Sequence, residues 1–166
     1  MPALVAGIKA PEINLPLLNA KEAFSLSAAL KRGPVLAAFF KVSCPVCQLA
    51  FPYLQRLAAA YSRNNVSIVG VSQDNAADTA AFMQKFGITF PVALDDTRKY
   101  PVSNSYGLTN VPSVFWIMPD GDIELSSVGW SKAEMEDLNQ RIAAATGAPK
   151  SQLFKAGEDV PDFKPG

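Results

Sequence analysis

A nearly continuous apolar run, residues 34–40, stands directly before the only two cysteines of the chain, Cys44 and Cys47. A run of this kind is typical of a central strand that is buried on both faces of a sheet. Apolar side chains then recur at helical spacing over residues 47–61, which predicts an amphipathic helix. We therefore expect both cysteines on the first turn of a helix that follows a buried strand.

The spacing of the two cysteines predicts redox chemistry. A helix N-terminus stabilises negative charge, so a cysteine at that position is favoured as a thiolate. Residues three apart lie on the same face of a helix, which brings the two sulfur atoms within reach of a disulfide. The pair can therefore switch between dithiol and disulfide without refolding. Two buried structural thiols are the alternative interpretation of the same pattern.

The chain contains no histidine, which excludes several kinds of site. Ser-His-Asp and Cys-His nucleophilic arrangements cannot form within the chain. A structural zinc ion needs four ligands, whereas the cysteine pair supplies two. We therefore predict no metal and no cofactor, with a metal shared between two chains as the alternative that these residues leave open.

The charges of the chain balance, with 15 lysines and arginines against 15 aspartates and glutamates in 166 residues. No basic tract indicates a nucleic-acid partner, and no acidic tract indicates a cationic one. No apolar run reaches the roughly 18 residues that suggest a transmembrane helix. The apolar stretch at the N-terminus is too short for a secretory signal. We expect a cytoplasmic location, or an exported one if a signal has been removed.

The remaining periodicities predict strands that alternate with helices. Short apolar pieces around a polar turn predict a β-hairpin within residues 8–26. Further strands are predicted at 66–71, 90–94, 114–118 and 123–128, and further helices at 78–86, 97–106 and 131–145. This order predicts an α/β fold, a central mixed β-sheet flanked by helices with an N-terminal β-hairpin extension. We expect one domain over residues 1–145 and an extended C-terminal tail, residues 146–166, packed on it.

The residues that carry a resemblance to a known family are Phe39-Phe40, Cys44-Pro45-Val46-Cys47, Pro52, residues 68–72 and Val111-Pro112-Ser113. On these residues the chain resembles the thioredoxin-like redoxin superfamily, the branch of AhpC/TSA and TlpA-like thiol–disulfide oxidoreductases. The resemblance covers residues 8–145. It implies a thioredoxin-like fold in which Pro112 is a cis-proline that faces the cysteine pair and Pro52 bends the helix.

The resemblance also implies an activity, that of a thiol–disulfide oxidoreductase. Cys44 would be its attacking thiol and Cys47 its resolving thiol. The backbone at Val111, beside Pro112, would pair with an extended substrate segment. The partners would be a disulfide-containing protein or small molecule and an electron donor that the sequence does not identify.

Three neighbours of the cysteines have supporting roles in this interpretation. Pro45 and Val46, which separate the two cysteines, help to set the reduction potential. Lys41 stands three residues before Cys44 and would favour its thiolate if the ammonium group comes near. A solvated lysine at the end of a strand is the alternative interpretation of Lys41.

Two residues depart from the thioredoxin pattern. Ser43 stands where a tryptophan usually precedes the first cysteine, and Ala38 stands where thioredoxins have a buried carboxylate. The proton acceptor for Cys47 is therefore open. Water, or a carboxylate from another segment such as Asp74, would have to serve.

A thiol-dependent peroxidase of the peroxiredoxin type is the second functional interpretation. Its signature, Pro-x-x-x-Thr-x-x-Cys, would need threonine at Lys41 and proline at Ala37 when counted back from Cys44. Both positions differ, so we expect disulfide rather than peroxide chemistry. In a third interpretation, a non-enzymatic redox-sensing module, the disulfide state changes a docking surface without turnover.

Overall fold

The computed structural model describes residues 3–166 as strands that alternate with helices. The strands are β1 (Asn14–Pro16), β2 (Ala23–Ser25), β3 (Val35–Phe40), β4 (Ser67–Ser72), β5 (Val92–Leu94), β6 (Ser113–Ile117), β7 (Ile123–Val128), β8 (Trp130–Ser131) and β9 (Phe163–Lys164). The helices are α1 (Leu26–Leu30), α2 (Pro45–Ala60), α3 (Ala76–Phe86), α4 (Pro101–Ser105) and α5 (Lys132–Thr146). Their order follows the alternation that the periodicities predict.

The central sheet has five strands in the order β5-β4-β3-β6-β7. β3, β4 and β5 are parallel to one another, whereas β6 runs antiparallel to both β3 and β7. All 6 residues of β3 are buried, as expected of a strand in the middle of a sheet with both faces covered. The predicted α/β fold with a central mixed sheet is confirmed.

The N-terminal hairpin consists of β1 and β2, which pair as a separate antiparallel ladder. Leu17, just after β1, forms an isolated bridge with Ala93 of β5. Next to this bridge, the N–H of Leu18 donates to the Val92 carbonyl at 2.8 Å. The hairpin therefore extends the edge of the central sheet, as the predicted N-terminal extension requires.

Alternate side chains of β3 enter two separate apolar clusters. Leu36, Ala38 and Phe40 belong to the cluster that α2, α3 and α5 cover. The three intervening side chains belong to the cluster covered by the hairpin, α1 and the region of α4. Because burial of a large apolar side chain contributes roughly 1.5–3 kcal/mol, these clusters hold helices on both faces of the sheet.

Helix α2 packs on the central sheet through its apolar face. Phe51 and Leu54 are fully buried, and the ring centroids of Phe40 and Phe51 lie 4.2 Å apart. Pro52 lies inside the helix, which continues past it although proline cannot donate a backbone hydrogen bond. This packing places the first turn of α2 at the carboxyl end of β3.

The residues after α5 return across the domain. Leu153 is buried, and its carbonyl accepts a hydrogen bond from Arg56 of α2 at 3.0 Å. The same guanidinium forms two parallel hydrogen bonds, 2.8 and 2.6 Å long, with the carboxylate of Glu158. Further along, β9 pairs with β8. The division of the chain at residue 145 into a domain and a tail stays a prediction.

The close approach between Gly33 and Asn65 gives a test of the packing. Gly33 has a φ of +153°, and a methyl group on it would overlap the Asn65 carbonyl oxygen. We expect Gly33→Ala to lower the free energy of unfolding by about 2–3 kcal/mol, because overpacking adds to backbone strain. In Gly87→Ala, φ is +67° with no atom within 4 Å of the new methyl, and a loss of about 1–2 kcal/mol is expected from strain alone. Urea unfolding measures both values, and an equal loss of unfolding free energy in the two variants would contradict the overlap at Gly33.

Candidate active site

Cys44 is the N-cap residue of α2. Its backbone is extended, and its Sγ accepts a hydrogen bond from the N–H of Cys47 at 3.2 Å. Pro45 occupies the first turn of the helix, where a missing amide hydrogen leaves no helical bond unmade. The N-cap sulfur thereby satisfies one of the backbone amide groups that a helix start leaves without an internal partner. Cys44 is half-buried, so its sulfur can be approached from solvent.

Cys47 has a different environment, because it is fully buried in the apolar cluster beneath α2. Burial raises the pKa of the Cys47 thiol well above its ordinary value, and the hydrogen bond with Cys44 and the charge of Asp74 raise it further. Both cysteines are in the thiol form in this structure. The pair thus combines an accessible sulfur with a shielded thiol that keeps its proton.

The loop before β6 contacts the cysteine pair. The Val111–Pro112 peptide bond is cis, and the Cys44 thiol donates to the Val111 carbonyl at 3.4 Å. Ser113, the first residue of β6, pairs with Phe39 near the end of β3. This register sets the loop beside the first turn of α2. Val111, one of the two residues predicted for substrate binding, therefore contacts the predicted nucleophile, and Pro112 follows it in the same loop.

Asp74 and Gln48 hold the turn that leads from β3 to Cys44. The Asp74 carboxylate accepts a hydrogen bond from the N–H of Val42 at 2.8 Å. The side-chain amide of Gln48 donates to the Val42 carbonyl at 2.9 Å. The sequence names Asp74 only as a candidate proton acceptor and does not single out Gln48. The feature of the sequence that could have identified Gln48 is its position, as a polar residue directly after Cys47 on the first turn of the helix.

A cavity of about 390 Å³ opens beside Cys44. Its walls are formed by Lys41, Cys44, Gln73, residues 108–111 and Gly166. The Lys41 ammonium lies 5.9 Å from the centroid of the Tyr100 ring. Sequence reasoning misses Gln73, whose signal is its position directly after β4, at the edge where the carboxyl ends of parallel strands meet. Val46 lies outside these walls and packs, partly buried, against the cluster under α2.

A larger cavity, of about 630 Å³, lies at the amino end of β4. The hairpin, the second half of α2 and the start of β4 line it, with side chains that include Phe24, Arg32 and Gln55. It contains neither cysteine. The smaller of the two cavities is therefore the one that exposes the sulfur of a predicted site residue.

Among residues 3–166, no group of three or more His, Cys, Asp or Glu side chains is placed to hold a metal ion. In the same part of the chain, no helix combines the length and the apolar character needed to cross a membrane.

The fold and the paired cysteines define a thioredoxin-like protein. The profile of the AhpC/TSA family matches residues 6–126, and the chain belongs to this family. Thiol-disulfide oxidoreductase ResA of Geobacillus thermodenitrificans is 28% identical over 141 residues, which cover 84% of this chain and 78% of that protein. ResA of Bacillus subtilis is 30% identical over 118 residues, which cover 70% of this chain and 64% of that protein.

Solved structures share the fold. A crystal structure from Chlorobium tepidum, assigned as a thiol:disulfide interchange protein DsbE, has a TM-score of 0.76 and 29% identity, over 87% of this chain and 100% of that chain. A solution structure from Neisseria meningitidis, assigned as a thioredoxin, has a TM-score of 0.69 and 27% identity, over 82% of this chain and 88% of that chain. The predictions of a thioredoxin-like redoxin and of a thiol–disulfide oxidoreductase are confirmed by these similarities.

The unequal exposure of the two thiols predicts unequal alkylation. We expect iodoacetamide to modify Cys44 of the reduced native protein at least about tenfold faster than Cys47, because only an accessible thiolate reacts readily. Peptide mass spectrometry after timed quenching measures both rates. Cys44→Ser should resist modification until urea unfolds it, whereas Cys47→Ala should react at the wild-type rate. Faster labelling of Cys47 than of Cys44 would contradict the arrangement.

The raised pKa of Cys47 predicts a stability that falls in mild alkali. An unfolded cysteine titrates near pH 8.5, so above that pH the folded state binds more protons than the unfolded state. The contribution is complete below this pH and declines as the pH rises, by at most about 1.4 kcal/mol per pH unit. Urea unfolding of the reduced protein from about pH 8 to 9.5 measures this slope below the ordinary range of tyrosine.

Cys47→Ala and Cys44→Ser are the paired controls for this slope. We expect Cys47→Ala to flatten it. Cys44→Ser should keep most of it, since burial is the largest cause of the raised pKa of Cys47. A slope that survives in Cys47→Ala and disappears in Cys44→Ser would contradict the assignment of the protonated thiol.

Proposed function

We propose that Cys44 and Cys47 form the redox-active CPVC pair of this oxidoreductase, with Cys44 as the nucleophile and Cys47 as the resolving thiol. The observation that carries the proposal is the asymmetry of the two sulfurs. Cys44 is half-buried at the N-cap, where its Sγ accepts the Cys47 N–H. Cys47 is fully buried beneath it. An incoming disulfide therefore meets Cys44 first, and the mixed disulfide it forms meets Cys47.

The reaction proceeds in two exchange steps that balance in electrons and protons. The Cys44 thiolate attacks a substrate disulfide, forms a mixed disulfide and releases the first substrate sulfur as a thiol once it takes up a proton. Cys47 then loses its proton, attacks the Cys44 sulfur and releases the second substrate sulfur. Two electrons and two protons pass from the dithiol to the substrate, and the Cys44–Cys47 disulfide remains. In reverse, the protein oxidises dithiols.

The neighbouring residues have supporting parts in this proposal. The Val111 backbone beside Pro112 binds the substrate segment, since its carbonyl already contacts the Cys44 thiol. Lys41 places a positive charge on the cavity wall, and Pro45 and Val46 set the potential through the geometry of the helix start.

Proton transfer from Cys47 needs an acceptor, and Asp74 is the carboxylate whose charge acts on that thiol. Movement of the proton from Cys47 to Asp74 leaves the total charge of the pair unchanged. It therefore avoids two neighbouring anions in a partly buried site.

The reducing direction follows if the location is cytoplasmic, as the sequence predicts, because that compartment keeps thiols reduced. The substrate is then a disulfide-containing protein or small molecule. An electron donor must afterwards reduce the Cys44–Cys47 disulfide again.

Insulin reduction with dithiothreitol tests the order of the two cysteines. We expect Cys44→Ser to lose at least about 100-fold in rate, because the nucleophile is gone. Cys47→Ser should turn over slowly and accumulate a mixed disulfide at Cys44, visible by mass spectrometry. Identical behaviour of the two variants would contradict the assigned roles.

Hydrogen peroxide under the same reductant tests the peroxidase alternative. The position that a peroxidase signature would fill with proline is Ala37, which belongs to the cluster on the opposite face of the sheet from Cys47. Peroxide consumption should therefore remain near the background rate. Peroxide turnover far above disulfide turnover would reverse the proposal, and reversible disulfide formation without turnover of either substrate would favour a redox-sensing module.

A further inference from the structure

We infer that residues 161–166, named here the closing segment, select substrates by covering the Val111 edge. Small disulfides reach Cys44 with the segment in place, whereas an extended protein segment must displace it. The inference rests on the proposed function, in particular on the Val111 backbone as the edge that pairs with substrate.

The closing segment is anchored beside the active-site loop by hydrogen bonds. The indole N–H of Trp130 donates to the Pro161 carbonyl at 2.7 Å. The N–H of Lys132 donates to the Asp162 carbonyl at 2.9 Å. The ladder between β8 and β9 then places Lys164 opposite Trp130. These contacts direct the chain from the start of α5 towards the loop that precedes β6.

The segment reaches the same carbonyl that the nucleophile contacts. The side-chain amide of Asn110 donates to the Gly166 carbonyl at 2.9 Å. Gly166 packs so closely on the loop that a methyl group on it would lie 2.7 Å from the Val111 carbonyl oxygen. That oxygen accepts the Cys44 thiol. The Val111 carbonyl therefore lies between Gly166 on one side and the Cys44 sulfur on the other.

This placement predicts two classes of substrate access. An extended chain that pairs with the Val111 backbone needs the space that Gly166 fills. The cavity of about 390 Å³ beside Cys44 has Gly166 as one wall and Lys41 and Gln73 among its others. A small disulfide can therefore enter from the side of these two residues without moving the segment.

The closing segment is held weakly enough to be displaced. Residues 162–166 are exposed, and the Phe163 side chain is 61% exposed. Little apolar surface is buried there, so local opening costs less than opening of the core. The chain just before it is held more firmly, through the buried Leu153 and the bidentate contact between Arg56 and Glu158. Displacement can therefore stop short of unfolding the rest of the tail.

Gly129 offers a variant that moves the segment without substituting any residue that lines the cavity. Its φ is +78°, and a methyl group on it would lie 2.7 Å from the Lys164 carbonyl oxygen and 2.8 Å from the Gly166 nitrogen. The added methyl group of Gly129→Ala should therefore push the backbone of the closing segment away from its present position. Gly87→Ala is the matched control, since its φ is +67° and no atom lies within 4 Å of the added methyl.

The test compares kcat/KM for insulin with kcat/KM for cystine, with dithiothreitol as reductant in both. Gly129→Ala should raise the insulin-to-cystine ratio by about three- to tenfold, by increasing the fraction of protein competent to bind an extended chain. Gly87→Ala should leave the ratio at the wild-type value. An unchanged or lower ratio in Gly129→Ala would overturn the inference.

A second measurement needs no change in the segment. Cys47→Ser is loaded at Cys44 either with cysteine or with an extended peptide carrying one cysteine, each supplied as its mixed disulfide with thionitrobenzoate. The Cys44 thiolate forms the new disulfide and thionitrobenzoate leaves. The indole N–H resonance of Trp130, which reports its bond to Pro161, should shift with the peptide and stay in place with cysteine.

The outcomes separate this inference from the function on which it rests. A peptide adduct with an unmoved Trp130 resonance, or an equal shift with cysteine, would overturn the role of the closing segment and leave the proposed function intact. Failure of both reagents to load Cys44 would overturn the proposed function, and this inference with it.

Discussion

The packing of α2 against β3 is the contact on which the site depends. Phe40 and Phe51 meet in the cluster beneath the helix, and this contact fixes where the helix begins relative to the end of the strand. Because β6 runs antiparallel to β3 with Ser113 opposite Phe39, the loop before β6 returns to the same end of the sheet. A sulfur at a helix N-terminus thereby meets a carbonyl 67 residues later in the chain.

The same apolar packing makes the two thiols unequal. Cys47 faces a cluster that includes Ala38, at a place where the resemblance to thioredoxins would put a carboxylate. Its proton is therefore held by burial, and the nearby negative charge of Asp74 strengthens that hold. Asp74 also accepts the Val42 N–H, so one carboxylate both holds the turn before Cys44 and acts on Cys47. The proposed order of reaction rests on this difference in solvent access and charge.

The sequence predicts the parts of the site that are local and periodic. The buried strand, the helix after it and the placement of Cys44 at the start of that helix follow from apolar spacing, and the resemblance adds the cis bond before Pro112. The predicted helix over residues 97–106 is shorter in the structure, Pro101–Ser105, because Tyr100 has a φ of +50° and cannot continue a helix. The bond between Asp74 and Val42 joins segments far apart in the chain, and no spacing rule predicts it.

The path of the tail is the least predictable feature for a related reason. Composition indicates an extended segment but does not say which surface it follows. Its direction is set by single hydrogen bonds, such as that from Trp130 to Pro161, rather than by an apolar stripe. Such contacts leave no periodic trace in a sequence.

The N-cap hydrogen bond of Cys44 links the stability of α2 to the reduction potential of the cysteine pair. In the reduced form of the proposed redox pair, Sγ of Cys44 accepts the Cys47 N–H, and it becomes a stronger acceptor than a disulfide sulfur whenever it loses its proton. Oxidation therefore weakens the cap of α2. A cap worth about 1 kcal/mol corresponds to roughly 20 mV for a two-electron couple. Substitutions elsewhere on the first turn of α2 would therefore tune the reduction potential without touching either sulfur.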